Sequence, residues 1–151
     1  MLLCAADPVD IALTVRAGSD GAHRVVRGYG AGVPPRRRTD PDTGRAALAR
    51  VLEAHTLEQA DVRDAVRFLL EELAERAPGR SVEVRVPPYG AVQCVAGPRH
   101  TRGTPANVVE IDPMTWVALG AGGTSWEAAV ADGLVHASGG RADLSAFLPL
   151  V

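Results

Sequence analysis

The periodicity of apolar residues changes at Pro78-Gly79, and this change limits the folds that the chain can adopt. Before it, residues 62–73 carry an apolar stripe at the helical period, with charged side chains on the other face. After it, SVEVRV at 81–86 alternates apolar and polar side chains, as half-buried strands do. The turn sequence PPYG at 87–90 and the run AVQCVA at 91–96 predict a returning strand.

Local signals place the other elements. Two Asp-Pro pairs, at 40–41 and 112–113, predict helix starts, because proline at the first helical position loses no needed donor. Capping boxes at Thr56–Gln59 and Thr124–Glu127 predict two more. The first helix is expected to end near His55. The remaining expectations are strands at 107–112 and 134–138, a helix from Met114 to about Leu119, and a short final helix at 143–148.

Helices and strands are grouped along the chain instead of alternating, which predicts an α+β fold. We expect a mainly antiparallel sheet of four to five strands, covered by helices, in a domain spanning 39–151. Residues 1–38 form an N-terminal extension with two interpretations. VDIALTV at 9–15 alternates like a strand, and HRVVRGYG at 23–30 could return as a hairpin. Alternatively, the natural start is Val33 with a loose basic leader before the first helix, and residues 1–32 are a start-site artefact that never packs.

Composition excludes several classes of protein. The net charge of −2 argues against a general nucleic-acid binder, which needs surplus cations. All 16 basic residues are arginine, so a P-loop and a Schiff-base lysine are both excluded. Cys4 and Cys94 lack metal-ligand spacing. With no signal peptide and no apolar run near the ~20 residues of a membrane span, we expect a cytoplasmic protein without integral membrane association.

No catalytic constellation is found in the sequence. There is no Gly-x-Ser-x-Gly elbow and no histidine pair for zinc, and GYGAGV at 28–33 runs into Pro34-Pro35 where a dinucleotide-binding helix should begin. Cys94 is expected to be a buried core thiol and His136 a surface residue. We therefore expect a protein that is not an enzyme and that needs no metal or cofactor.

Four stretches of the C-terminal half resemble the sterol carrier protein type-2 family, in particular its bacterial sterol-carrier-like branch. They are NVVEIDPMTWVALGAGG at 107–123, TSWEAAVADG at 124–133, GLVHASG at 133–139 and ADLSAFLPL at 142–150. The third is similar to the family's Gly-Lys-Leu-Lys-Ile-x-Gly, although Leu134 and His136 replace lysines and Ala137 replaces a larger aliphatic residue. The resemblance covers roughly residues 65–150.

This resemblance implies a sheet covered by helices around an apolar tunnel that holds a fatty acyl chain, a sterol or a related lipid. The alternative is a purely structural role, in which the same side chains only fill the core, since native interiors leave few voids. The side chains that the resemblance implies as the wall or lid of the tunnel are Trp116, Leu119, Trp126, Val130, Phe147 and Leu150.

The loop GPRHTRGT at 97–104 concentrates polar groups after a strand. Arg99, His100 and Arg102 could hold a carboxylate or phosphate headgroup, or they could be solvated and pair with Glu83 or Glu110. The expected partner is a lipid or another apolar small molecule. A protein-interaction module with the same fold and no tunnel is the alternative function, and a homodimer is left open.

Overall fold

A computed structural model of the chain describes residues 37–53, 58–97 and 106–151. The predictions for 1–36, for Thr56 and for the loop at 98–105 lie outside the described residues. The elements within those ranges follow in chain order: α1 (Pro41–Glu53), α2 (Gln59–Arg76), β1 (Val82–Val86), β2 (Gly90–Cys94), β3 (Val108–Ile111), α3 (Pro113–Gly120), α4 (Trp126–Ala131), β4 (Val135–Ser138) and a 3₁₀ turn (Ser145–Phe147).

Helices α1 and α2 pack closely against each other. The Asp40 carboxylate accepts the Thr43 N–H at 2.9 Å at the start of α1. A Cβ on Gly44 would lie only 2.5 Å from Phe68 Cβ, so glycine lets the two helices approach. Helix α2 begins at Gln59 with Glu58 as its N-cap, and the Glu58 side chain makes no capping bond.

The sheet has four strands in the order β2-β1-β3-β4 within the described ranges. β1 pairs antiparallel with β2, and β3 pairs antiparallel with β4. The central pair, β1 with β3, is parallel and aligns Val84 with Val109. The predicted α+β class with a mainly antiparallel sheet is confirmed, although the parallel central step makes the sheet mixed.

Only one face of the sheet carries the core. Val82, Val84 and Val86 are at most 1% exposed, while Glu83 and Arg85 between them remain half-buried and pair with each other at 2.6 Å. Burying the valines removes apolar surface from water at about 25 cal/mol per Å². The alternation seen in the sequence therefore sets which face the helices cover.

Side-chain caps fix the short helices of the C-terminal third. The Asp112 carboxylate accepts the Met114 and Thr115 N–H groups at 3.0 and 3.1 Å and so starts α3. Ser125 Oγ accepts the Ala128 N–H at 3.1 Å, so the N-cap of α4 is Ser125 and not Thr124 as predicted.

The final predicted helix at 143–148 is only a 3₁₀ turn, Ser145–Phe147. The Asp143 carboxylate accepts the Ser145 N–H at 2.9 Å, a local bond that competes with helical hydrogen bonding. Pro149 follows directly, and proline disfavours the helical conformation in the residue before it. The prediction of a helix here is wrong in extent, because too few residues lie between these two signals.

Candidate functional site

The six side chains that the sequence suggested as a ligand wall lie in pairs on α3, on α4 and near the chain end, and four of them, Trp126 included, belong to the main core cluster. Trp116 and Leu119 on α3 and Leu150 near the chain end are at most 2% exposed and belong to the main core cluster. Trp126, at the start of α4, is 8% exposed. Phe147 is partly buried against the same cluster, and Val130 on α4 is 43% exposed.

Helix α3 is packed deeply against α2. The Trp116 indole N–H donates to the Val66 carbonyl at 3.4 Å, which satisfies a polar atom in the core. A Cβ on Gly120 would lie 2.8 Å from Leu69 Cδ1, so the last turn of α3 also touches α2. Trp116 and Leu119 therefore belong to the core that α3 shares with α2.

Residues 147–151, which we call the C-terminal segment, are held on two sides. On one side the Gly120 carbonyl accepts the N–H groups of Leu150 at 2.8 Å and Val151 at 3.2 Å. On the other side the Arg76 guanidinium donates to the Phe147 carbonyl at 3.2 Å, to the Leu150 carbonyl at 2.6 Å, and to the Pro149 carbonyl. The segment is therefore fixed to the end of α3 and to α2, and its Leu150 side chain is buried.

Sequence reasoning missed Arg76, because its partners lie more than 70 residues away and are backbone carbonyls. Arg76 also stands in the last turn of α2, where a basic residue suits the helix dipole.

A polar cluster lies at the end of the sheet where the loop 98–105 leaves and returns. The Asn107 side chain donates to the Ser81 carbonyl at 2.8 Å and accepts the Arg141 N–H at 3.0 Å. The Arg141 guanidinium donates to the Ala96 carbonyl at 3.3 Å. Arg141 thus contacts the chain just before and just after the loop. Arg99, His100 and Arg102 themselves lie outside the described residues.

Gly139 makes this contact possible. Its φ is +97°, and a Cβ there would lie 2.3 Å from the Ala106 carbonyl oxygen. The glycine pair at 139–140 is a turn signal that could have directed attention to Arg141.

Cys94 and His136 lie where the sequence predicted. The Cys94 side chain is fully buried, and burial raises the pKa of its thiol to about 12. At neutral pH it is therefore a protonated core residue and a poor nucleophile. His136 is exposed on β4, an edge strand of the sheet.

Two features are absent from residues 37–53, 58–97 and 106–151. No helix there combines the length and the apolar composition needed to cross a membrane. No three or more histidine, cysteine or acidic side chains there converge on a point that could hold a metal ion.

Comparison with known families gives a match that includes every element described above except α1. A family model described as "Bacterial SCP ortholog" matches residues 58–150, more than half of the chain, from the start of α2 to the C-terminal segment. A comparison with curated proteins gave no match. The chain therefore belongs to the bacterial sterol-carrier-protein-like family.

Proposed function

We propose that the protein binds or transfers an apolar or amphipathic ligand, such as a lipid, a fatty acyl chain or a sterol-like molecule, in an internal hydrophobic pocket and without chemical turnover. Family membership over residues 58–150 carries this proposal. It is supported by the burial of Trp116, Leu119 and Leu150 together in the main core cluster. Burying an acyl chain among such side chains is worth about 25 cal/mol per Å² of apolar surface.

The tryptophans supply the direct test. Trp116 and Trp126 are both proposed wall residues, so titrating medium- and long-chain fatty acids, acyl thioesters and sterols should give a saturable change in their emission. The single variants Trp116→Phe and Trp126→Phe, each keeping one indole, assign the change to a position. Emission that stays constant for every lipid class would reject the proposal.

A matched pair of exposed residues tests the wall itself. Val130 is 43% exposed and is a proposed wall residue, whereas Met114 is 40% exposed and is not. Because both are this exposed, aspartate at either position should leave the fold intact. Val130→Asp should weaken acyl-chain binding about tenfold, equivalent to ~1.4 kcal/mol, and Met114→Asp should leave it unchanged. Equal effects at the two positions would contradict the assignment of Val130.

The polar end of the ligand is assigned to Arg99, His100 and Arg102, with Arg141 at the base of their loop. Arginine forks suit a carboxylate or a phosphate. Arg99→Ala and Arg102→Ala should each weaken binding of a fatty acid but not of the fatty alcohol of equal length. Arg80→Ala is the control, since Arg80 bonds the Gln93 side chain at 2.9 Å on β2. If these variants lose equal affinity for the fatty acid and the fatty alcohol, Arg99 and Arg102 do not bind the headgroup.

A second function, a protein-interaction module, is favoured by exposed apolar side chains near the α4–β4 connection. Val130 is 43% and Leu134 46% exposed, and the Leu134 N–H bonds the Ala129 carbonyl at 2.9 Å, which keeps both residues at one end of α4. This patch would serve a homodimer. Sedimentation should then show a concentration-dependent mass that Leu134→Asp abolishes. A monomer that still binds lipid would favour the carrier function. We place either activity in the cytoplasm.

A further inference from the structure

An open groove of about 490 Å³ runs between the edge strand β2 and helix α2. It is not formed by the proposed ligand wall. The Arg67 guanidinium donates to the Tyr89 carbonyl at 3.1 Å and joins α2 to the β1–β2 turn beside the groove. The lining residues that the argument uses are Leu70 and Ala74 on α2, Ala91 and Val92 on β2, and Thr39 before α1.

The backbone of β2 can accept another strand along this groove. The Glu83 N–H donates to the carbonyl of the residue before β3 at 3.0 Å, so Glu83 turns its backbone groups towards β3. Its neighbour Val84 therefore turns towards β2 and bonds its partner Val92. Ala91 and Gln93, on either side of Val92, then direct their N–H and C=O groups to the outer edge. Both are exposed, and within the described ranges no strand pairs with them.

The floor of the groove is apolar and its rim is polar. Leu70 and Ala74 are each 4% exposed on the helix side. Asp64, Arg67 and Glu71 carry charges along the rim. A strand added to β2 would turn every second side chain towards Leu70 and Ala74 and the others to solvent. The matching occupant is an extended segment whose large apolar side chains fall at every second position, with small or polar side chains between them.

The chain carries such a segment, tethered at this groove. Residues 9–15, VDIALTV, place Val9, Ile11, Leu13 and Val15 on one side. The chain enters the described structure at Arg37, whose guanidinium bonds Glu72 at 2.7 Å and Glu75 on α2. Two residues later, Thr39 lines the groove. The connection at 16–36 reaches any point along β2, since an extended chain spans about 3.3 Å per residue.

We propose that residues 9–15 add to the outer edge of β2 as a further strand, with Ile11 and Leu13 over Leu70 and Ala74. The added strand gives the exposed backbone groups of Ala91 and Gln93 hydrogen-bond partners and covers an edge that natural sheets protect. The N-terminal extension is then part of the domain and not a leader before it. This assignment does not depend on the proposed ligand.

The test uses the full chain and a matched pair of variants. Ile11→Asp puts a charge on the face that meets Leu70, whereas Thr14→Asp puts the same charge on the solvent face. Hydrogen exchange is read at the Ala91 and Gln93 amides by NMR, with the Glu83 amide inside the sheet as reference. We expect exchange at Ala91 and Gln93 about tenfold faster in Ile11→Asp than in the unaltered chain, and unchanged in Thr14→Asp.

Two outcomes would overturn the proposal. One is fast exchange of the Ala91 and Gln93 amides already in the unaltered chain, which would show that no strand pairs with the outer edge of β2. The other is protection that disappears on dilution, which would assign the edge to a second copy of the chain. If Ile11→Asp also speeds exchange at the Glu83 amide, that variant has lost the sheet. Leu13→Asp, again paired with Thr14→Asp, then takes the place of Ile11→Asp in the test.

Discussion

The Arg76 guanidinium donates to the Leu150 carbonyl at 2.6 Å, across 74 positions of sequence, and this bond holds the end of the described chain against α2. We expect Arg76→Ala to destabilise the fold by about 1–2 kcal/mol, because three carbonyls lose a charged donor but remain partly solvated. Urea unfolding measures the loss. Arg80→Ala, which removes one bond to a surface glutamine, should change stability by less than about 0.5 kcal/mol.

Arg76→Lys adds a second measurement. A lysine retains the charge but not the planar fork that spans several carbonyls, so it should recover only part of the stability. Hydrogen exchange at the Leu150 amide, which bonds the Gly120 carbonyl, should quicken in both variants. If Arg76→Ala and Arg80→Ala destabilise equally, Arg76 is an ordinary surface residue.

Replacing Gly120 by alanine should destabilise the fold, whereas the same substitution at an ordinary helical glycine stabilises it. Glycine to alanine inside a helix usually stabilises by up to about 1 kcal/mol. At Gly120 the new Cβ would lie 2.8 Å from Leu69 Cδ1, and overpacking of that kind costs about 1–3 kcal/mol. Thermal unfolding shows whether Gly120→Ala stabilises or destabilises the fold. Gly140→Ala, where a Cβ meets no atom within 4 Å, is the control and should be nearly neutral.

Cys94 should be unreactive until the core opens. Burial raises the pKa of its thiol to about 12, so almost no thiolate exists at pH 8. In a Cys4→Ser background, a thiol reagent should modify Cys94 only at the rate of unfolding, and denaturant should make it react at once. Rapid stoichiometric labelling of the folded protein would show that β2 is less well packed than described here.

Stability should fall in acid through the carboxylates that hold the helices. The Arg37 side chain lowers the pKa of Glu75, and the Arg50 side chain lowers the pKa of Asp61. In the unfolded chain the side-chain pKa is about 4.3 for Glu and about 3.9 for Asp, so this stabilisation is fully present at pH values above these two. It is lost as pH falls through the lower folded-state pKa values.

Urea unfolding from pH 7 to pH 3 should follow that course, with the decline beginning below about pH 5. Glu75→Gln should lower stability at pH 7 and flatten the acid part of the profile. An unchanged profile in Glu75→Gln would mean that the pair with Arg37 does not form in solution.

The sequence predicted those parts of the fold that depend on local periodicity. Alternation at Val82–Val86 and the stripe on α2 each fix which side chains are buried, so the sheet face and the helix face were predictable. The parallel pairing of β1 with β3 was not, because a strand's pattern does not reveal its neighbour. The predicted N-cap differs from the observed one where two capping residues are adjacent, as at Thr124 and Ser125.

Only the apolar part of the candidate site could be proposed from the sequence. Trp116, Leu119 and Leu150 could be selected from a helical pattern and a family resemblance. Arg76 and Arg141 could not, since each acts through backbone carbonyls far away in sequence, and such bonds leave no residue pattern. Whether Arg99, His100 and Arg102 hold a headgroup remains a proposal for the lipid titrations.

The last two turns of α2 hold both ends of the described chain. Glu71 accepts the backbone N–H groups of Arg38 and Thr39, Glu72 and Glu75 bind the Arg37 guanidinium, and Arg76 holds the C-terminal segment. A force pulling the two ends apart therefore reaches these side chains before it reaches any strand of the sheet. Under tension the molecule should yield first at α2, with the β-sheet still folded.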